Sequence, residues 1–286
     1  MPSAPRPKLM GAFGGMLGGV VGVALALFLE MTRSTYRARR ELEAETGLPV
    51  LASLPRMPRG DLRGIVEGLR SNSNTMFGER IRHLRTFLLM QNGRAEKKAI
   101  MFASSQPDEG KSMTAVGMAE MAALAGRSVL LLDGDLRRSR LAQSFGWDMR
   151  HDLSDFILHR CDLAEAIHTD GALGFDVLAP SRPCPEAADK LSTTWLDPVM
   201  KELTRVYDLV VIDSPPILKV SDGLVLARVA DSIVYVVRWD GTPRAAVSEG
   251  LDTLAEMRLG VTGLVLNQVD PKQAEKTYGE GYAAYA

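Results

Sequence analysis

The stretch Ser104-Ser105-Gln106-Pro107-Asp108-Glu109-Gly110-Lys111-Ser112 decides how this chain is read. Before it, Ala99 to Ala103 is an apolar run that predicts a buried strand; after it, Met113 to Ala125 is an Ala- and Met-rich helical pattern. Strand, loop and helix with Gly-Lys-Ser at the helix start make a cradle for a polyphosphate: backbone N–H groups turn inward and the helix N-terminus adds partial positive charge. In such a loop Lys111 reaches the outer phosphates and the Ser112 hydroxyl ligates Mg2+. The full pattern wants glycine at position 105, where this chain has Ser105, so the loop needs support from elsewhere.

Two further stretches supply it. Val129 to Leu132 is an apolar run ending in Asp133-Gly134-Asp135-Leu136-Arg137, and Leu209 to Ile212 is another, ending in Asp213-Ser214-Pro215-Pro216. In an open parallel sheet ligands sit at the carboxyl ends of strands, so Asp133, Asp135 and Asp213 are expected to converge on the loop. Carboxylates there hold Mg2+ or accept a proton from an attacking hydroxyl. A single Asp after a strand is more often a cap or turn residue; three beside Gly-Lys-Ser point to a site.

Later strands are expected at Phe175 to Leu178, Ile233 to Arg238 and Val261 to Leu266, with helices between them, including Trp195 to Val206 and Arg244 to Arg258. Strands alternating with helices predict an α/β fold with a mainly parallel sheet. The last strand is expected to end at Asn267, whose amide either contacts a purine ring or caps the structure. The chain has 286 residues, 46% of them hydrophobic, and a net charge of -1, enough for one sizeable domain with extensions and no sign of nucleic-acid binding. Cys161 and Cys184 have no metal-ligand spacing and form no disulfide framework.

Upstream, Pro2, Pro5 and Pro7 mark residues 1–8 as extended, and Leu9 to Leu29 contains no charged residue. That is about the 20 apolar positions a membrane-spanning helix needs. A secretory signal is the rival, but its apolar region would be shorter and no small-residue cleavage site precedes Glu30. Arg33, Arg37, Arg39 and Arg40 follow the span against Arg6 and Lys8 before it, which places the rest of the chain in the cytoplasm. Gly14, Gly18 and Gly22 share one helix face, a spacing that permits helix packing in the bilayer. Residues 30–73 read as a cytoplasmic juxtamembrane linker, with Gly47 to Pro55 a short apolar piece fenced by prolines, and the folded domain is expected to occupy 74–270.

Thr75 to Gln91 is helical in pattern, with Glu79, Arg82 and Arg85 on one stripe. The stripe is either a solvated face or a subunit contact in which arginines meet a neighbour's carboxylates. Residues 271–286 hold Tyr278, Tyr282 and Tyr285, half of the chain's six tyrosines. So little other apolar content predicts disorder, and the tyrosines are then either docking groups or chemical substrates.

Taken together, these residues resemble the bacterial tyrosine kinases of capsule and exopolysaccharide synthesis, the BY-kinases, over roughly residues 75 to 286. Pro107-Asp108-Glu109-Gly110-Lys111-Ser112 is similar to their phosphate loop, Asp133, Asp135 and Arg137 to their second Walker element, and Asp213 with Pro216 to their Walker B. Glu79, Arg82 and Arg85 resemble the family's ring-assembly helix, and the tail resembles its autophosphorylation cluster. The resemblance implies a P-loop NTPase-like fold that binds ATP and Mg2+, with Pro107, Glu109, Gly110, Lys111, Ser112, Met113, Arg137 and Asn267 at the nucleotide. It implies Ser112, Asp133 and Asp213 at the metal, and Asp135 at the incoming phenol with the reverse assignment of the two carboxylates open. It also implies a homo-oligomeric ring at the bacterial inner membrane, a protein-tyrosine phosphatase as antagonist, and a polysaccharide co-polymerase membrane half as partner. The span at 9–29 looks like the second membrane helix of such a co-polymerase; a first helix and the extracytoplasmic domain are not in this sequence. Rival readings are a MinD/ParA-like ATPase switch, whose signature lysine is replaced here by Gln106, and a non-catalytic scaffold.

Overall fold

The computed structural model describes residues 15–23, 34–57, 62–71, 75–90, 99–270 and 272. The chain divides into two compact units, 1–35 and 36–286. In the first, residues 15–23 are helical (α1). No helix among the described residues is long and apolar enough to cross a membrane; the expected span at 9–29 is described only at 15–23, and its remaining residues lie outside the described ones, as do Tyr278, Tyr282 and Tyr285.

The second unit opens with α2 (Arg39–Thr46), β1 (Val50–Pro55), α3 (Leu62–Ser71), α4 (Met76–Met90), β2 (Ala99–Ser104), α5 (Lys111–Ala123), β3 (Val129–Asp133) and α6 (Arg140–Phe145). It continues with α7 (Leu153–Ile157), α8 (Leu163–Ala166), β4 (His168–Thr169), β5 (Asp176–Leu178), α9 (Pro185–Lys190) and α10 (Thr193–Val206). β6 (Leu209–Asp213), α11 (Asp222–Arg228), β7 (Ser232–Arg238), α12 (Arg244–Glu256) and β8 (Val261–Val269) complete it. The strands form one sheet in the order β1-β8-β7-β2-β6-β3-β5-β4. Every pairing is parallel except β4 with β5.

Both faces of this sheet are covered, so its central strands are apolar throughout. Ala99, Met101 and Ala103 of β2 pack with Leu130, Leu132, Val210 and Ile212 in one core. Their alternates Ile100, Phe102, Leu131 and Val211 pack on the other face beneath α3, α4 and α5. The period-2 geometry of a strand divides each apolar run between the two cores. Buried Glu120 of α5 meets Arg70 of α3 at 2.6 Å, tying those helices together.

The start of the folded unit differs from the sequence expectation. Tyr36 and Leu42 are 1% and 0% exposed, and β1 pairs along β8, so the piece read as linker is the outermost parallel strand with its own helices. Pro55 is accommodated because β1 lies at the sheet edge and ends there. α3 was hidden by Gly64 and Gly68, which weaken helix propensity, yet Ile65, Val66 and Leu69 are all buried. β8 runs past Asn267 to Val269.

Candidate active site

The middle of the sheet places three strand ends side by side: β2 leads into the loop, and β6 and β3 end in Asp213 and Asp133. Those two carboxylates are direct register partners, so their backbones lie about 4.8 Å apart. Both are buried, at 1% for Asp133 and 2% for Asp213. Asp133 Oδ1 accepts the backbone N–H of Asp135 at 3.0 Å, and the Ser112 side chain lies close enough to Asp213 to draw its pKa down. Glycine is needed between Asp133 and Asp135, because a Cβ at Gly134 would lie 2.2 Å from Leu226 of α11.

Burial pushes the Asp133 carboxyl well above the usual carboxylate range, and the neighbouring Asp213 charge adds to it. Asp213 is raised by burial too, against the opposing pull of Lys111 and the Ser112 side chain. Asp133 Oδ2 and Asp213 Oδ1 are buried with no hydrogen-bond partner. Two orphaned hard oxygens beside a serine hydroxyl fit Mg2+, which takes one or two carboxylates and fills its octahedron with water and phosphate oxygens. Among the described residues there is no group of three His, Cys, Asp or Glu side chains fit to hold a metal by themselves, so phosphate oxygens would have to complete the shell.

The loop is held in shape from behind. Gly110 has φ 88, and a Cβ there would lie 2.0 Å from Asn267 Nδ2. That amide donates to Glu109 O at 2.9 Å, and Gln268 Nε2 donates to Asp108 O at 2.9 Å. Glu109 is 3% exposed; its carboxylate accepts the Gln106 N–H at 2.7 Å and the Thr242 hydroxyl, and burial raises its pKa. Ser105, at the position where the full pattern has glycine, places Oγ 2.8 Å from the buried Tyr235 hydroxyl. The departure thus satisfies a polar group that would otherwise be stranded in the core.

Pro107, Gly110, Lys111, Ser112, Met113, Asp133, Asp135 and Asp213 line one cleft of about 420 Å³. Glu109, Asn267 and Arg137 are not among its lining residues: the first two brace the loop, and Arg137 bonds Asp222 at 3.0 Å and Asp189 at 3.2 Å. In its place the adjacent Arg138, with Arg140 and Arg238, brings positive charge to the cleft. Arg140 meets Asp108 at 2.5 Å across the mouth. Leu62 and Ile65 of α3 also line the cleft; their i, i+3 spacing with Val66 and Leu69 was the signal that marks them as one helix face.

On α4, Arg82 pairs with Glu79 of its own helix, and Arg85 Nη1 donates to Met121 O of α5. Two of the three expected assembly residues are therefore engaged with each other and the third with a neighbouring helix of the same chain.

The chain is similar to known proteins in both sequence and fold. A family model described as an AAA domain matches residues 97–259. The tyrosine-protein kinase YwqD of Bacillus subtilis (strain 168) is 31% identical over 189 residues, covering 66% of this chain and 80% of YwqD. The putative tyrosine-protein kinase EpsB of Ralstonia solanacearum is 27% identical over 294 residues, covering 99% of this chain but only 39% of EpsB. This chain thus spans about two fifths of the length of such longer relatives. Among solved structures, the kinase domain of Escherichia coli tyrosine kinase ETK superposes with a TM-score of 0.69 at 26% identity, covering 79% of this chain and 92% of that one.

Proposed function

Since the chain belongs to the bacterial tyrosine kinase family, we propose that it transfers the γ-phosphoryl group of ATP to tyrosine hydroxyls, those of Tyr278, Tyr282 and Tyr285 on a neighbouring copy first among them. The observation that carries this reading is the pair of buried, orphaned carboxylate oxygens of Asp133 and Asp213 beside Lys111 and Ser112, with Asp135 open to the same cleft.

The chain's own groups divide the work. Loop N–H groups at the start of α5 orient the phosphates, and the Lys111 ammonium neutralises charge growing on the transferring group. Ser112, Asp133 and Asp213 would hold Mg2+, which supplies charge neutralisation at the β- and γ-phosphoryl oxygens. Asp133 is buried, with Oδ1 held by the Asp135 backbone N–H and Oδ2 left for the metal, which supports giving Asp135 the phenol proton. A phenol with a pKa near 10 stays protonated at neutral pH, so a carboxylate acceptor in reach assists the attack.

In this reading residues 9–29 anchor the chain in the bacterial inner membrane with the kinase unit in the cytoplasm, and the α4 face around Glu79, Arg82 and Arg85 joins copies into a ring. A polysaccharide co-polymerase membrane half is its partner, a tyrosine phosphatase opposes it, and tail phosphorylation loosens the ring by adding about two negative charges per tyrosine, thereby regulating polymer assembly and export. Mass-spectrometric phosphotyrosine mapping after incubation with Mg-ATP tests the activity. Phosphate on the tail of the wild type and none on Lys111→Ala is expected; phosphotyrosine on neither, with ATP still hydrolysed, would replace the kinase by an ATPase switch.

A further inference from the structure

The cleft has two ends, and the placement of its metal-type carboxylates tells them apart. Asp133 and Asp213 lie at the β3 and β6 ends, so a triphosphate seated in the loop turns its γ-phosphorus toward β3. Its nucleoside then leaves on the other side, toward Arg238 and Gln268 at the β7 and β8 ends. The nucleophile and the leaving oxygen of a phosphoryl transfer lie roughly in line. The acceptor must therefore approach from beyond β3, the end lined by Asp135, Arg138 and Ser144.

That end has an apolar wall. Arg63 of α3 donates to the Phe145 carbonyl at the close of α6, which sets the first turn of α3 against the last turn of α6. Leu62 of α3 and Met113 of α5, both half-buried, thereby line the cleft together with the exposed Ser144 of α6, while Ile65, 5% exposed, belongs mainly to the core and contributes little open surface. Nothing in phosphate or metal binding calls for apolar side chains at this place, whereas a phenol ring does, since its face needs apolar cover while its hydroxyl reaches a carboxylate.

We infer that Leu62, Met113 and Ser144, backed by Ile65, form the subsite that receives the acceptor tyrosine ring, with Arg138 at its rim facing acidic residues that flank the tyrosine. This rests on the kinase reading above. The phenol oxygen bonds to the γ-phosphorus as the bond from phosphorus to the β-bridging oxygen breaks, ADP departs with that electron pair, and the phenol proton passes to Asp135. The chain's own tail suits the subsite in sequence: Glu280 stands two residues from both Tyr278 and Tyr282, an acidic flank of the kind a cationic rim would select.

The test uses the full chain, Mg-ATP and a synthetic peptide of residues 273–286 as acceptor in trans. Leu62→Ser removes apolar cover, and Ser144→Trp fills the subsite from an exposed position near the end of α6. Each is expected to raise the peptide KM about tenfold, the scale of losing or blocking a few carbons of pocket contact, while the Kd for a fluorescent ADP stays within about twofold. Peptide KM unchanged in both variants, or ADP affinity lost with peptide KM retained, overturns the subsite; the latter would make the wall a base pocket. Wild type that binds ADP and transfers no phosphate to the peptide overturns the kinase reading itself, and the subsite with it.

Discussion

On the floor of the cleft Lys111, Asp133 and Asp213 are 9%, 1% and 2% exposed, whereas at the rim Asp108 and Arg140 meet with 66% and 51% of their side chains in solvent. The floor holds two carboxylates and one ammonium together out of water; the rim pairs one of each in it. Burial at the floor is costly for the protein without ligand, because it confines two neighbouring carboxylates, each with one oxygen that has no hydrogen-bond partner. A site arranged in this way trades stability of the empty protein for strength of grip on a cation and a polyphosphate. The rim makes no such trade.

The largest expected effect follows from that difference. Asp213→Asn and Asp133→Asn should each cut phosphoryl transfer to tyrosine by about 10²-fold or more, and each should raise the thermal midpoint of the protein in EDTA. Both native groups have raised folded-state pKa values, so the folded state binds their protons more tightly than the unfolded one. Their contribution to stability is complete below the unfolded carboxylate value of about 4 and declines as pH rises toward the folded values. The stabilising effect of each Asn substitution in EDTA is accordingly greatest above the folded values and shrinks as pH falls toward the unfolded value of about 4. Melting scans at several pH values read it directly. If either variant is both inactive and less stable at pH 7, the pair is structural and the contrast with the rim fails.

A smaller effect probes how the floor is braced. Gly110→Ala places a side chain at φ 88 and a Cβ 2.0 Å from Asn267 Nδ2, and the left-handed backbone alone costs about 1–2 kcal/mol. Asn267→Ala removes the donor to Glu109 O, at about 1 kcal/mol. Combined, the two should cost less than their sum, because the second removes the atom that the first collides with. ADP titration of the four proteins measures the coupling; strict additivity would mean that Asn267 does not hold the loop.

The floor was legible in the sequence because its residues come from contiguous motifs at strand ends. Gly110-Lys111-Ser112, Asp133-Gly134-Asp135 and Asp213 are each read beside an apolar run, and a parallel sheet brings such ends together whatever the loops do. The apolar wall was not legible, since Leu62 and Ile65 sit on a helix with two glycines in a segment that reads as linker between charged and proline-rich pieces. Only the docking of α3 on α5 and α6 brings them to the site. Arg137 and Arg138 show a finer limit. Adjacent arginines after a strand carry the same chemistry in sequence, and it is the buried Asp222 on α11 that draws Arg137 away and leaves Arg138 facing the cleft. Asn267 was open to two readings, and the close approach of Gly110 turns its amide to the loop.

The rim should respond least. Arg140 holds the Asp108 carboxyl below the usual carboxylate range through its hydrogen bond, a stabilisation that would fade only as pH falls through that lowered value. With half or more of each side chain in solvent, the pair is worth at most about 0.5–1 kcal/mol and weakens with salt. Arg140→Ala and Asp108→Ala should leave the thermal midpoint nearly unchanged, and a double-mutant cycle on ADP affinity should give a coupling under about 1 kcal/mol. Asp108 does have φ 64, a left-handed backbone inside the phosphate loop, so the pair has a route by which to shape the floor. A coupling well above 1 kcal/mol that persists at high salt would show that the rim positions the loop, and the division between a buried floor and an indifferent rim would have to be given up.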